Sequence, residues 1–182
     1  MRVKTALLSL LLAGCATAPD AALGPRGPGP AFAEAEMVDR TGAVIGRASF
    51  SRHPQGQLFL RVRASGLTPG EHGIHIHEAG ACEPPAFTSA GSHLKAAGDA
   101  SPHGRMHPSG GEAGDLPNLF VDATGRADQG DYASIKLRQT TAGAPSVIGR
   151  ALVIHAQRDD QLSQPIGGSG DRIACGVVRA TG

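Results

Sequence analysis

The stretch "QLFLRVRASG", residues 57 to 66, alternates apolar and polar positions: Leu58, Leu60 and Val62 fall on one face, Phe59, Arg61 and Arg63 on the other. A period of two predicts a strand with one buried side. Shorter runs of the same kind predict strands at "AEAEMVD" (33–39), "AVIGRASFS" (43–51), "GIHIHEA" (73–79), "NLFVDATG" (118–125), "YASIKLRQ" (132–139), "ALVIHAQ" (151–157) and "IACGVVRA" (173–180), most of them separated by turns that contain glycine. No stretch carries the 3.6-residue period of an amphipathic helix. Eight short strands without helices predict an all-β domain, a sandwich or flattened barrel. Residues 80–117 and 157–171 break the alternation and predict two long loops, the kind of segment that carries function on a β scaffold.

Composition sharpens this picture. The chain has 26 glycines and 13 prolines in 182 residues, no Trp and one Tyr, a balance that favours turns over long helices. Its 17 basic and 16 acidic residues give no polyelectrolyte signature, so nucleic acid is not an expected partner. Residues 1–14 have a basic start (Arg2, Lys4), an apolar run from Ala6 to Ala13 and then Gly14-Cys15, the layout of a signal peptide. That run is shorter than the roughly 20 residues needed to span a bilayer. "LAGC" (12–15) resembles a bacterial lipobox, which would make Cys15 the lipid-carrying mature N-terminus and place the protein on a membrane facing the periplasm. Residues 15–32, rich in Pro, Gly and Ala, read as a flexible tether, with the folded domain over 33–182. With Cys15 carrying lipid, Cys82 and Cys175 remain as a natural disulfide pair for an oxidising compartment.

Candidate chemistry lies in the histidines. In "EHGIHIHEAGAC" (71–82), His75 and His77 share one face of a strand and Ile74 and Ile76 the other. "ALVIHA" repeats the design, with Leu152 and Ile154 opposite His155. Three imidazoles on two strands suit copper or zinc. His93, His103 and His107 lie in the first long loop with Glu112 and Asp115; any one alone reads as loop polarity, but together they form a donor-rich set. His53 sits at a predicted turn and reads as a surface residue. His72 is out of phase with His75 and reads as a structural hydrogen-bonding residue.

"GEHGIHIHEAGAC", "FTSAGSH", "AGDLPNL", "GRALVIHA" and "GDRIACGVV" follow one another as in the bacterial copper/zinc superoxide dismutases, and the chain resembles that family from about residue 34 to its end. The resemblance implies an eight-stranded Greek-key β-sandwich that dismutates superoxide to dioxygen and hydrogen peroxide, as a monomer or homodimer. It implies copper on His75, His77, His93 and His155, with His93 also bridging to zinc and acting in catalysis. It implies zinc on His93, His103 and Asp115, a support role for Asp159, a disulfide between Cys82 and Cys175, and Arg172 beside the copper as the residue that attracts the anion. One departure stands out: Glu112 occupies the place of the family's third zinc histidine. Either Glu112 or His107 then completes the zinc set, and zinc binding itself stays open at this stage. The other reading that Glu112 leaves open is a copper-binding or copper-buffering lipoprotein with little dismutase activity.

Overall fold

The computed structural model describes residues 28–53, 56–133, 135–137 and 145–182. Ten strands are present among them: β1 (Ala31–Asp39), β2 (Val44–Arg52), β3 (Leu58–Ser65), β4 (Gly70–His72), β5 (Ile74–His77), β6 (Leu119–Val121), β7 (Arg126–Tyr132), β8 (Ala151–His155), β9 (Arg172–Val177) and β10 (Arg179–Ala180). The only helical elements among the described residues are two single 3-10 turns, Thr88–Ala90 and Ile135–Leu137. The main antiparallel sheet has the order β5-β8-β9-β1-β2-β3-β7, with β10 also pairing β1, and β4 pairs with β6 in a two-stranded ribbon. Neighbours such as β9-β1 and β3-β7 are not consecutive in sequence, so the connections cross over in the Greek-key manner. The architecture is therefore the all-β flattened barrel that the alternating pattern predicts.

The core follows from that alternation. Ala33, Ala35 and Met37 of β1, Ala48 and Phe50 of β2, and Leu58, Leu60 and Val62 of β3 are buried, while Glu34, Glu36, Arg61 and Arg63 turn outward. Ile74 and Ile76 of β5 meet Ile154 and Leu152 of β8 in register and extend the same core. On the opposite face of β8, Ala151 and Val153 pack with Phe87, Ala90 and Cys175 in a smaller cluster that seats the first long loop.

Some elements differ from the sequence-based expectation. The strand expected over 132–139 is not seen among its described residues: the β7 strand on β3 ends at Tyr132, Ile135–Leu137 forms a 3-10 turn, and residues 134 and 138–144 lie outside the described residues. The strand that does form, β7, reads "RADQGDY" and has Ala127 as the one buried apolar side chain among its described side chains, so its sequence carries no visible period of two. It is held by the backbone ladder to β3, from Phe59↔Tyr132 to Ser65↔Arg126. The run "IACGVVRA" is split into β9 and β10 at Val178, whose N–H and carbonyl both pair with the segment before β8. The signal peptide, Cys15 and the tether up to residue 27 lie outside the described residues.

Cys82, near the start of the first loop, is disulfide-bonded to Cys175 of β9, with 5.6 Å between their Cα atoms and a sequence separation of 93. A link closing so large a loop stabilises mainly by restricting the unfolded chain. Replacing both cysteines by alanine should reduce stability by about 4 kcal/mol and loosen residues 80–92. Denaturant titration with hydrogen exchange of that segment checks this; an unchanged midpoint would show that the bridge contributes little.

Candidate metal centre

The site is built where the first long loop lies against β5. Ile76 donates its N–H to the Gly114 carbonyl (2.9 Å) and accepts from Leu94 N–H (2.8 Å), and Gly114 N–H bonds the Leu94 carbonyl (2.8 Å). These bonds set His77 opposite His93 and His75 opposite Asp115 as isolated bridges. Gly114 has to be glycine, because a Cβ there would run into the Ile76 carbonyl. With Ile74 and Ile76 committed to the core, the buried rings of His75 and His77 project the other way, towards His93 and His155. Ring centroids lie 4.0 Å apart for His75 and His93, 4.8 Å for His75 and His155, and 4.9 Å for His77 and His93.

Each ring has one nitrogen fixed by an acceptor. His77 Nδ1 donates to the Gly91 carbonyl (2.9 Å), His155 Nδ1 to the Gly170 carbonyl (3.0 Å) and His75 Nε2 to Asp159 Oδ2 (2.7 Å). His93 Nδ1 lies 2.9 Å from Glu112 Oε2. The other four nitrogens, His75 Nδ1, His77 Nε2, His93 Nε2 and His155 Nε2, are buried and have no hydrogen-bond partner among the described residues. These four residues form a group whose donor atoms lie within 4.8 Å of one another. Inward-facing lone pairs left unmatched in this way are what a copper ion with imidazole ligands needs.

A second donor set adjoins the first through His93. His103 Nδ1 is 2.9 Å from Asp115 Oδ1 and 3.9 Å from Glu112 Oε2; His93 Nδ1 is 3.4 Å from Asp115 Oδ1 and 2.9 Å from Glu112 Oε2. A tetrahedral ion with bonds of about 2.0 to 2.2 Å spaces its ligands roughly 3.3 to 3.6 Å apart, and these separations scatter around that value. His75 also lies near enough to be grouped with His93, His103 and Asp115, but its Nε2 is taken by Asp159 and its Nδ1 faces the first set. Glu112 Oε2, beside both His93 Nδ1 and His103 Nδ1, is a further carboxylate oxygen next to this set. His107 is in neither set: half-buried, it bonds Ser109 Oγ through Nδ1 (2.8 Å). His53 is half-buried at the turn after β2. His72 is structural, with Nδ1 2.7 Å from the His155 carbonyl and Nε2 2.8 Å from the Thr68 carbonyl.

The two sets differ in electrostatics. Burial pushes His75 down to about 4 despite the Asp159 carboxylate, and burial with the neighbouring His75 holds His155 at about 3; burial holds His77 low as well. These rings are neutral near pH 7. Burial also opposes charge on His103, but Asp115 and Asp159 outweigh it and raise the ring to about 10. Asp115 and Glu112 likewise raise His93 against its burial. Against their own burial, Asp115 and Asp159 stay well below the carboxylate range, held there by His103 together with His93 or His75.

Asp159 links the sets, taking His75 Nε2 on Oδ2 and His103 Nε2 on Oδ1 (3.1 Å). Asn118 brackets its backbone, accepting Asp159 N–H and donating to its carbonyl. Arg172 opens β9 half-buried, donating Nη1 to the Phe87 carbonyl and Nη2 to the Gly91 carbonyl, both at 2.7 Å. Gly91 thus serves His77 and Arg172 together. Sequence reasoning missed the Gly91 and Gly170 carbonyls, which have no side chain to signal them. It also missed Asn118 and Gln164, the latter clasping the His103 backbone at both N–H and carbonyl.

The family model described as copper/zinc superoxide dismutase (SODC) matches residues 44–178. The chain is 40% identical over 141 residues to "Superoxide dismutase [Cu-Zn]" of Caulobacter vibrioides, covering 76% of this chain and 80% of that one. It is 37% identical over 157 residues to the protein of the same name from Deinococcus radiodurans, covering 80% and 83%. Among solved structures, a superoxide dismutase-like protein from Bacillus subtilis superposes with a TM-score of 0.70 at 36% identity over 79% of this chain and 95% of that one. The Cu/Zn superoxide dismutase from Brucella abortus gives 0.66 at 29% over 79% and 97%. The family model spans most of the chain and these curated relatives share more than a third of its residues over most of their length, and the chain belongs to the copper/zinc superoxide dismutase family.

Proposed function

We propose that this protein dismutates superoxide at a copper ion held by His75, His77, His93 and His155, next to a zinc ion held by His93, His103, Glu112 and Asp115. The observation that carries the reading is the placement of His93, whose Nε2 belongs to the first donor set and whose Nδ1 reaches the second. When bound, copper supplies reversible one-electron chemistry that oxidises one superoxide to dioxygen and reduces the next to hydrogen peroxide, while zinc holds and polarises the His93 ring. His93 Nε2 is the atom that takes up a proton and hands it to the reduced anion. Arg172, tied to the Gly91 and Phe87 carbonyls, keeps its guanidinium at a fixed place beside the imidazoles and draws in the small anion. Asp159 holds the rings of His75 and His103 from behind and fixes which nitrogen of each faces its metal. A protein that only stored copper would need neither Arg172 nor the second donor set.

Glu112 is part of the proposal, since zinc accepts carboxylate oxygen and its Oε2 lies beside both histidines of the second set. The proposal also places the protein in the cell envelope, lipid-anchored through Cys15. The lipobox-like "LAGC" and a disulfide that needs an oxidising compartment support that location.

His155→Ala should remove copper binding and activity together and leave zinc binding in place; full activity in the variant would contradict the assignment. Arg172→Gln should slow turnover and flatten its dependence on ionic strength with copper content unchanged. A wild-type salt response would take Arg172 out of the steering role.

The charge states predict different proton release. Three of the four copper ligands are already neutral at pH 7, whereas His103, raised to about 10, must lose a proton to bind zinc; His93, also raised, is common to both sets and does not distinguish them. Each metal loaded alone, zinc should release more protons than copper, and zinc affinity should fall as pH is lowered from about 8 to 6. Calorimetry in buffers of different ionisation enthalpy checks this, and equal release would contradict it.

A further inference from the structure

Between Lys95 and Glu112 the zinc loop contains no strand, and its apolar side chains Ala96, Ala97, Ala100 and Met106 are not buried, so hydrophobic packing does not fix it. Two lysines bind it instead. Lys95 Nζ lies 2.9 Å from Glu112 Oε1 and donates to the Ser101 carbonyl at 3.2 Å. Lys136, on the 3-10 turn before the connection to β8, donates to Asp99 Oδ2 and Ser101 Oγ, both at 2.7 Å, and to the Gly111 carbonyl. Both ammonium groups reach Ser101, Lys95 at its carbonyl and Lys136 at its hydroxyl. Together they join the His93–Lys95 limb, the 99–101 bend and the Gly111–Glu112 limb.

We infer that Lys95 and Lys136 are positioning residues for zinc, a clamp that holds the Glu112 limb of the loop with the carboxylate aimed at His93 and His103. The inference rests on Glu112 being a zinc ligand. The two oxygens of Glu112 divide the work: Oε2 sits among the metal donors, and Oε1 is held by Lys95. A ligating carboxylate needs such a partner on its free oxygen to keep its rotamer, as ligating imidazoles do. Lys95 also offsets charge. A carboxylate in place of a neutral imidazole adds one negative charge, the ammonium returns one positive charge, and the local sum is that of a three-histidine site. These are not fully exposed surface pairs: Lys95 is 42% exposed but its partner Glu112 only 8%, and the Lys136–Asp99 pair is 23% and 14% exposed. Lys136 acts a step further back, on the backbone carbonyl just before Glu112.

The test is zinc affinity of the full chain by chelator competition, with copper affinity measured in parallel. Lys95→Met and Lys136→Met should each weaken zinc by about tenfold or more, with copper affinity and the metal-free thermal midpoint unchanged. In a Glu112→His background, Lys95→Met should lose its effect, because there is no carboxylate left to hold, while Lys136→Met keeps its own. A purely structural role would move copper and zinc together and would not couple Lys95 to Glu112. Zinc affinities of Lys95→Met and Lys136→Met equal to wild type would overturn the inference, provided Glu112→Gln weakens zinc. If Glu112→Gln binds zinc as tightly as wild type, the assignment of Glu112 as ligand fails first, and the clamp with it.

Discussion

Four buried imidazole nitrogens face one another with no hydrogen-bond partner among the described residues, and much of the structure serves to keep them there. Leaving a buried polar atom unpaired is unfavourable by about 1 to 3 kcal/mol. Four such atoms together oppose folding by an amount comparable with the roughly 5 to 15 kcal/mol that keeps a domain folded at all. A fold tolerates this only if a ligand offsets it, and a metal ion that accepts four lone pairs does so directly. The rest of the site favours that arrangement, since each second nitrogen is engaged by a carbonyl or a carboxylate.

The scaffold supports this through backbone rather than side-chain contacts. Ile76 pairs its N–H and carbonyl with the loop and buries its side chain in the core, so one residue binds the β barrel to the donor-bearing segment. The absence of a side chain at Gly114 lets the loop approach. Asp159, wholly buried between His75 and His103, joins the two donor sets so that a shift in one ring is felt by the other. The disulfide ties the opposite end of the same loop to β9, three residues after Arg172. The two donor sets and Arg172 are thereby parts of one packed unit.

Much of this was legible in the sequence, for identifiable reasons. The phase of His75, His77 and His155 against neighbouring Ile and Leu residues follows from strand geometry, which the register of β5 and β8 reproduces. His72 reads as structural from that same phase. Other features had no local signal. β7 faces the interior with Ala127, Gln129 and Asp131, so period-two hydrophobicity points away from it, towards the 132–139 segment, whose described residues beyond Tyr132 lie outside any strand. Where Glu112 and His107 lie could not be read from spacing within a loop without periodicity: in the fold Glu112 stands beside His93, and His107 bonds Ser109. The lysine contacts span up to 37 residues and leave no pattern in the chain at all.

The replacement of an imidazole by Glu112 bears on how the second metal is held, and therefore on how firmly His93 is oriented towards the first. Its most direct test is diffraction from crystals of the protein loaded with copper and zinc, with anomalous data collected at both absorption edges. The account predicts two separate peaks: copper among His75 Nδ1, His77 Nε2, His93 Nε2 and His155 Nε2, and zinc among His93 Nδ1, His103 Nδ1, Asp115 and Glu112. A single peak, or a zinc ion with Glu112 turned away and another ligand in its place, would contradict it.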